Sequence, residues 1–180
     1  MWKMGACIAL SAAMMLTSVG GMLPSDWGID TVYADETQTT TKTFAANQLT
    51  KAFAGGADGT SCESGEEGWN VVLKHDDAEH KYPQAVWNLS ESFDLANVES
   101  VTFNVKSQEG VIALKLGMTN ASGWYDDVEA CYGQNGQKQY TIVPEKTEGT
   151  LDKVVFMTTQ NDASFCLTSV VVTLKEGSGS

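Results

Sequence analysis

The sequence predicts an all-β domain, a β-sandwich or barrel, and three observations carry that prediction. Short runs rich in β-branched and aromatic residues recur along the chain, separated by clusters of Gly, Asn, Asp and Pro. Inside these runs apolar and polar side chains alternate with the two-residue period of a strand. No heptad or sustained 3.6-residue pattern competes with them.

The first element is not a strand. Lys3 precedes a long apolar stretch from Met4 to Met22, and Val32-Tyr33-Ala34 then offers an A-x-A-like cleavage site. Residues 1–34 are expected to be a secretory signal peptide. Ser11, Ser18 and the glycines interrupt the run too often for a membrane anchor, which needs about 20 consecutive apolar residues. The threonine-rich residues 35–43 are expected to be a flexible leader, 44–175 the sandwich, and the Gly/Ser-rich 176–180 a tail or the start of a linker.

Within the domain the expected strands are one near 43–53, then 69–74, 84–90, 100–106, 111–118, 128–132, 140–143, 153–158 and 166–174. Alternation separates their faces. Trp69, Val71 and Leu73 oppose Asn70 and Val72; Ala85, Trp87 and Leu89 oppose Gln84, Val86 and Asn88. Val101, Phe103 and Val105 oppose Thr102 and Asn104; Ile112, Leu114 and Leu116 oppose Ala113, Lys115 and Gly117. The first set of each pair is the expected core, with Phe103 and Leu114 at its centre. The second is rich in amides and hydroxyls (Asn70, Gln84, Asn88, Thr102, Asn104), a field of neutral donors and acceptors that suits sugar hydroxyls.

Charge narrows the partners. All 11 basic residues are lysines, the acids number 23, and the net charge is −12. A nucleic-acid surface needs a basic face, usually with arginine, and planar recognition of phosphate favours arginine as well. A neutral polymer or a protein remains. Cys62, Cys131 and Cys166 follow the signal; export permits a disulfide, and the odd count leaves one thiol over. Cys166 shares parity with the core residues of the last strand, which leaves Cys62 and Cys131 as the expected pair.

Residues 82–107 (YPQAVWNLSESFDLANVESVTFNVKS) resemble the β-jelly-roll carbohydrate-binding modules attached to bacterial cellulases and hemicellulases. The following Val-Ile-Ala-Leu-Lys-Leu strand (111–116), the QYTIVP strand (139–144) and the pair LDKVVFM (151–157) and LTSVVV (167–172) are similar to theirs. The similarity runs from about Trp69 to Leu174; Ser90 stands where those modules commonly have proline. The resemblance implies a jelly roll that grips one glycan chain without catalysis; the signal peptide makes it a secreted protein, and a monomer is expected. The implied ligand is a neutral plant polysaccharide of the β-glucan type (cellulose chains, mixed-linkage glucan or xyloglucan), and the implied partner an attached glycoside hydrolase. Several such modules carry a structural calcium. Asn161-Asp162 and the scattered acids are the available ligands, but no spacing like that of a calcium loop is present, so no cofactor is expected. A different class, an extracellular adhesion or scaffold domain that binds protein, would need an exposed aliphatic patch.

Sugar rings stack their C–H faces on exposed aromatics. Trp124 and Tyr125 sit in a polar loop between Asn120-Ala-Ser-Gly and Asp126-Asp127 and are the first candidates for that contact. Tyr82, Gln84 and Asn88 share parity on one strand and come second; Tyr132, Gln134 and Gln139, grouped around Gly133 and Gly136, come third. For catalysis, glycoside hydrolysis needs two carboxylates facing one bond. Glu129 is the one suggestively placed acid, and no second acid faces it. His75 and His80 flank Asp76, Asp77 and Glu79, which reads as a solvated loop before it reads as a metal cluster. No nucleophile elbow, P-loop or zincin motif is present. The domain is expected to bind and not to react.

Overall fold

Alternation of side chains decides the architecture. In the computed structural model, which describes residues 39–76, 78–133 and 136–177, the apolar sets of the strands face one another across a single core. The strands are β1 (Thr40–Ala45), β2 (Thr50–Gly55), β3 (Ser61–Ser64), β4 (Trp69–Leu73), β5 (Gln84–Asp94), β6 (Val98–Glu109), β7 (Ile112–Thr119), β8 (Tyr125–Gly133), β9 (Gln139–Ile142), β10 (Thr150–Met157) and β11 (Ala163–Leu174). Single 3-10 turns follow β1 and β5. The expected signal peptide and most of the expected tail lie outside the described residues.

Two antiparallel sheets result. One runs β3-β4-β11-β6-β9, with β1 pairing the far half of β11; the other runs β2-β5-β10-β7-β8. Contacts of β2 with β3, β4 with β5 and β8 with β9 place the sheets face to face, edge over edge. This is the β-sandwich the alternation called for.

The core is aromatic at its centre. Phe156 of β10 meets Trp87 at 5.6 Å and Phe103 at 5.4 Å edge-on, and stacks on Phe165 at 4.7 Å. Phe103, Leu114 and Trp87 are fully buried, as their parity required. Trp69 is half-buried and donates its indole N–H to the Ala46 carbonyl at 2.9 Å.

Three expectations need correction. Residues 40–43, counted with the leader expected over 35–43, are strand instead: Thr40–Thr43 pair with Leu174–Val171 as part of β1. The single strand expected near 43–53 is two, β1 in one sheet and β2 in the other, divided by the 46–48 turn. Cys62 is not in a loop but on β3, and no disulfide joins it to Cys131. The reason is topological. Cys62 lies on an edge strand at the β2/β3 side of the sandwich, whereas Cys131 lies on β8 at the opposite side, beyond the reach of about 7 Å between Cα atoms that a disulfide allows. Burial pushes the Cys62 thiol up to about 11, and Cys166 is buried as expected.

Candidate functional site

Register places side chains on the outer face of the five-stranded sheet in three rows. From β2 to β8, one row reads Thr50, Asn88, Lys153, Gly117, Asp127. The next reads Phe53, Val86, Val155, Lys115, Ala130, and the third Gly55, Gln84, Met157, Ala113 and, by backbone alone, Tyr132. The residues between them (Trp87, Leu114, Leu116, Val154, Phe156) point into the core.

The middle of this outer face is not open. Val86 and Val155 are 1 % and 0 % exposed although they face away from the core. Their cover comes from the hairpin between β7 and β8. The Tyr125 ring begins over Gly117, where an added Cβ would stand 3.3 Å from its own Cβ. Its hydroxyl donates to Gln84 Oε1 on β5 at 2.5 Å, so the ring crosses β10 on the way. Burial, then the charge of Asp127, pushes the Tyr125 phenol up to about 12, which keeps it a hydrogen-bond donor at neutral pH. Trp124 reaches further, meeting Phe53 of β2 edge-on (5.2 Å, 85°) and inclining on Tyr125 (5.2 Å, 36°). Phe53 and Trp124 are each 39 % exposed.

Local sequence explains why Trp124 can be held there. Asn120 Oδ1 accepts from Ser122 N at 3.1 Å, Ser122 Oγ at 2.6 Å and Trp124 N at 3.1 Å, while its Nδ2 donates to Asp126 at 3.1 Å. Such side-chain-to-backbone bonds fix a turn. Gly123 takes φ +80° within it, a conformation that a side chain would strain. Asp152 anchors the base of the hairpin, accepting from Thr119 N at 2.9 Å and from its hydroxyl at 2.5 Å.

Beside the aromatics lies a cleft of about 580 Å³ between the end of β2 and the 78–84 segment, lined by Phe53, Gly55, His80, Lys81, Tyr82 and Gln84 among others. Tyr82 is exposed on its wall. Asp76 builds this wall. Its Oδ1 accepts from the backbone of Ala78, Glu79 and His80 at 3.0, 2.7 and 2.9 Å, and its Oδ2 meets His80 Nδ1 at 2.7 Å. The contact with His80 above all, and then these backbone bonds, hold the Asp76 carboxyl well below the ordinary range. The same contact raises His80 above its ordinary value.

Trp124, Tyr125, Tyr82, Gln84 and Asn88 are therefore brought to one face. Gln139 is not: it lies on β9 of the other sheet and donates its amide to Asn104 at 3.1 Å. The expected field of neutral groups is split in the same way, with Asn70, Thr102 and Asn104 on the six-stranded sheet. There Thr102 meets Thr141 at 2.9 Å and Asn104 meets Ser169 at 2.9 Å, a ladder bound largely to itself. Gln134 falls outside the described residues, as does Asp77. Phe53 is the residue the sequence reading missed. A bulge between Lys51 and Phe53 moves it from the core parity of Lys51, opposite Trp87, to the outer face opposite Val86.

The suggested metal and catalytic groups are spent elsewhere. His75 pairs with Asp162 and His80 with Asp76, as two separate contacts. Asp162, proposed for calcium, takes Lys74 Nζ at 2.8 Å and His75 N at 3.0 Å, and Asn161 bonds the Val111 carbonyl at 3.1 Å. Among the described residues no three His, Cys, Asp or Glu side chains converge. Glu129 pairs with the core-facing Leu116, one residue off the outer face that Ala130 occupies.

The chain matches no family model and no curated protein. It is similar to solved structures. The xylan-binding module CBM86 from the xylanolytic gut symbiont Roseburia intestinalis is 31 % identical; the match covers 78 % of this chain and 99 % of that one, with a TM-score of 0.60. A point mutant of CBM29-2 matches at 14 % identity over 76 % and 93 % of the two chains, TM-score 0.53. Another, complexed with mannohexaose, matches at 14 % over 76 % and 92 %, TM-score 0.51; these two speak to the fold alone.

Proposed function

The chain belongs to the carbohydrate-binding module family CBM86, and from that premise we propose that the outer face of its five-stranded sheet holds a xylan backbone. The module is non-catalytic and its ligand is a polysaccharide. Xylan takes the place of the β-glucan inferred from sequence, because the 31 % identical neighbour is a low-affinity xylan-binding module. The observation that carries the reading is the tilt between the exposed rings: Phe53 and Trp124 stand 85° apart. A flat ribbon such as a cellulose chain wants coplanar rings beneath it. A xylan chain turns from residue to residue and presents its faces in different directions. In this reading Trp124, Phe53 and Tyr82 stack, and Gln84 and Asn88 hydrogen-bond.

The test is calorimetry with xylo- and cello-oligosaccharides on the parent, Trp124→Ala and Phe53→Ala. Trp124 exposes 39 % of its surface, which for a side chain of about 250 Å² is roughly 100 Å². Covered at about 25 cal/mol per Å², that is worth ~2.5 kcal/mol, or an affinity loss of roughly 50-fold on truncation. Xylo-oligosaccharide affinity unchanged in both variants rules this face out; tighter binding of cello-oligosaccharides returns the β-glucan. We also propose export. Secreted material that begins near Asp35 by intact mass supports it, and a cell-bound product retaining 4–22 refutes it. In that setting the module keeps an associated glycoside hydrolase at its substrate.

A further inference from the structure

Gln84 is an amide set among the exposed rings. It stands opposite Gly55 of β2. A Cβ on Gly55 would lie 2.5 Å from Cζ of Phe53, so the Phe53 ring lies back over Gly55, beside Gln84. Tyr82 comes two residues before Gln84, and Phe53, Tyr82 and Gln84 line the same cleft. A sugar stacked on either ring turns an edge toward this amide.

The amide is not free to choose its role. Its Oε1 accepts from the Tyr125 hydroxyl at 2.5 Å, and burial keeps the proton on that phenol at neutral pH. Among the described residues Gln84 Nε2 has no partner in the protein. An amide carries its two N–H donors on the nitrogen and its acceptor on the oxygen. With the oxygen turned to Tyr125, Gln84 offers the cleft donors. Their complement is a group that accepts and has no proton of its own to place. Each residue of a xylan backbone carries such groups in its ring oxygen and its glycosidic oxygen. Xylose also lacks the hydroxymethyl group that stands beside the ring oxygen in glucose. The Tyr125 ring, for its part, is already committed, since it covers Val86 and Val155 and meets Trp124 at 5.2 Å.

We infer that Tyr125 is a positioning residue for the glycan: its hydroxyl holds Gln84 with Nε2 outward, and Nε2 donates to an ether oxygen of the xylan backbone. The inference rests on the xylan reading above. It gives Tyr125 a different part from the stacking contact expected of it from sequence.

Calorimetry with xylohexaose on the parent, Tyr125→Phe, Gln84→Ala, the double variant and Gln84→Glu tests this. Tyr125→Phe keeps the ring over Val86 and Val155 and removes only the hydroxyl. The freed amide then turns either way, and affinity should fall by roughly three- to fivefold, in proportion to the fraction that still points a donor outward. Gln84→Ala removes the bond to the sugar and should cost about tenfold. In the Gln84→Ala background Tyr125→Phe should change affinity by less than about 1.5-fold, because no amide is left to hold. Gln84→Glu still accepts from Tyr125 but has no donor at neutral pH, and it should bind no better than Gln84→Ala. Unchanged affinity in Tyr125→Phe overturns the inference. So does an equal Tyr125→Phe loss with and without Gln84, which makes the hydroxyl structural. Parent-like binding by Gln84→Glu also overturns it, since a sugar hydroxyl and not an ether oxygen would then face this position. All three outcomes leave the xylan reading standing. A parent that binds no xylohexaose refutes the xylan reading itself.

Discussion

Replacing Asn120 by alanine isolates the value of holding the platform in place before the ligand arrives. The substitution touches no ring. It removes three bonds accepted by Oδ1 and one donated by Nδ2, all of them exposed to solvent. Two backbone bonds of the turn survive, Asn120 N to Trp124 O at 3.1 Å and Gly123 N to Asn120 O at 2.9 Å. The turn is therefore weakened and not abolished. Losing a side-chain cap of this sort costs about 1 kcal/mol, within a range of 0.5–2. A ligand that needs Trp124 in place must supply that energy on binding, so its affinity should fall by roughly five- to tenfold. Oligosaccharide titration of the parent, Asn120→Ala, Trp124→Ala and the double variant closes a cycle. In the Trp124→Ala background the Asn120 change should cost almost nothing, because the residue it positions is gone. An equal loss in both backgrounds, or unchanged affinity in Asn120→Ala, refutes the view that this turn presents Trp124 to the glycan.

Two further outcomes follow from burial and charge. Phe103→Ala opens the core against Phe156 and should cost about 3–5 kcal/mol in denaturant unfolding; a loss below about 1 kcal/mol would mean that the two sheets do not pack through this ring. The contact between Asp76 and His80 works in a window. The Asp76 carboxyl is depressed, so its contribution is present above its ordinary value of 3.8 and lost as pH falls; His80 is raised, so its contribution is full below its ordinary 6.5 and lost as pH rises past its elevated value. The turn over 76–80 is held best between these limits, and an NMR titration of His80 with a midpoint at or below 6.5 would show that the pair does not form.

Much of the fold could be read because the strands obey their period. Phe103, Leu114, Trp87 and Val170 went to the core on parity alone. The misreadings have local physical causes. Thr40–Thr43 lack apolar side chains and are strand only because β11 offers an unpaired edge, which composition does not reveal. Cys62 on β3 sits between Gly/Glu clusters that suggest a loop, yet pairing with β4 orders it. In the site, Trp124 and Tyr125 stood out because nothing apolar flanks them. Phe53 did not, since a one-residue bulge reverses its face and only the pairing with β5 exposes that. Gln139 lies apart from them for a related reason: parity tells in from out on one strand, but not which of two sheets the outward side chain belongs to. The burial of Lys153 was illegible for the opposite reason, because a lysine in an alternating strand gives no sign of being covered.

The reach of Trp124 across to Phe53 has a thermodynamic consequence. β2 and β8 are the outermost strands of their sheet, the parts of a sandwich that fray first. A ligand resting on both rings binds only while both margins are closed, so it loads its free energy onto the weakest pairings and not onto the centre. Saturating glycan at 100 times its dissociation constant adds about 2.7 kcal/mol to the bound state over any state that cannot bind. Fraying of either margin alone would be suppressed by that full amount. Slowed amide exchange on binding should thus appear in Lys51–Ala54 and Asp126–Val128 together, on strands that share no hydrogen bond with each other.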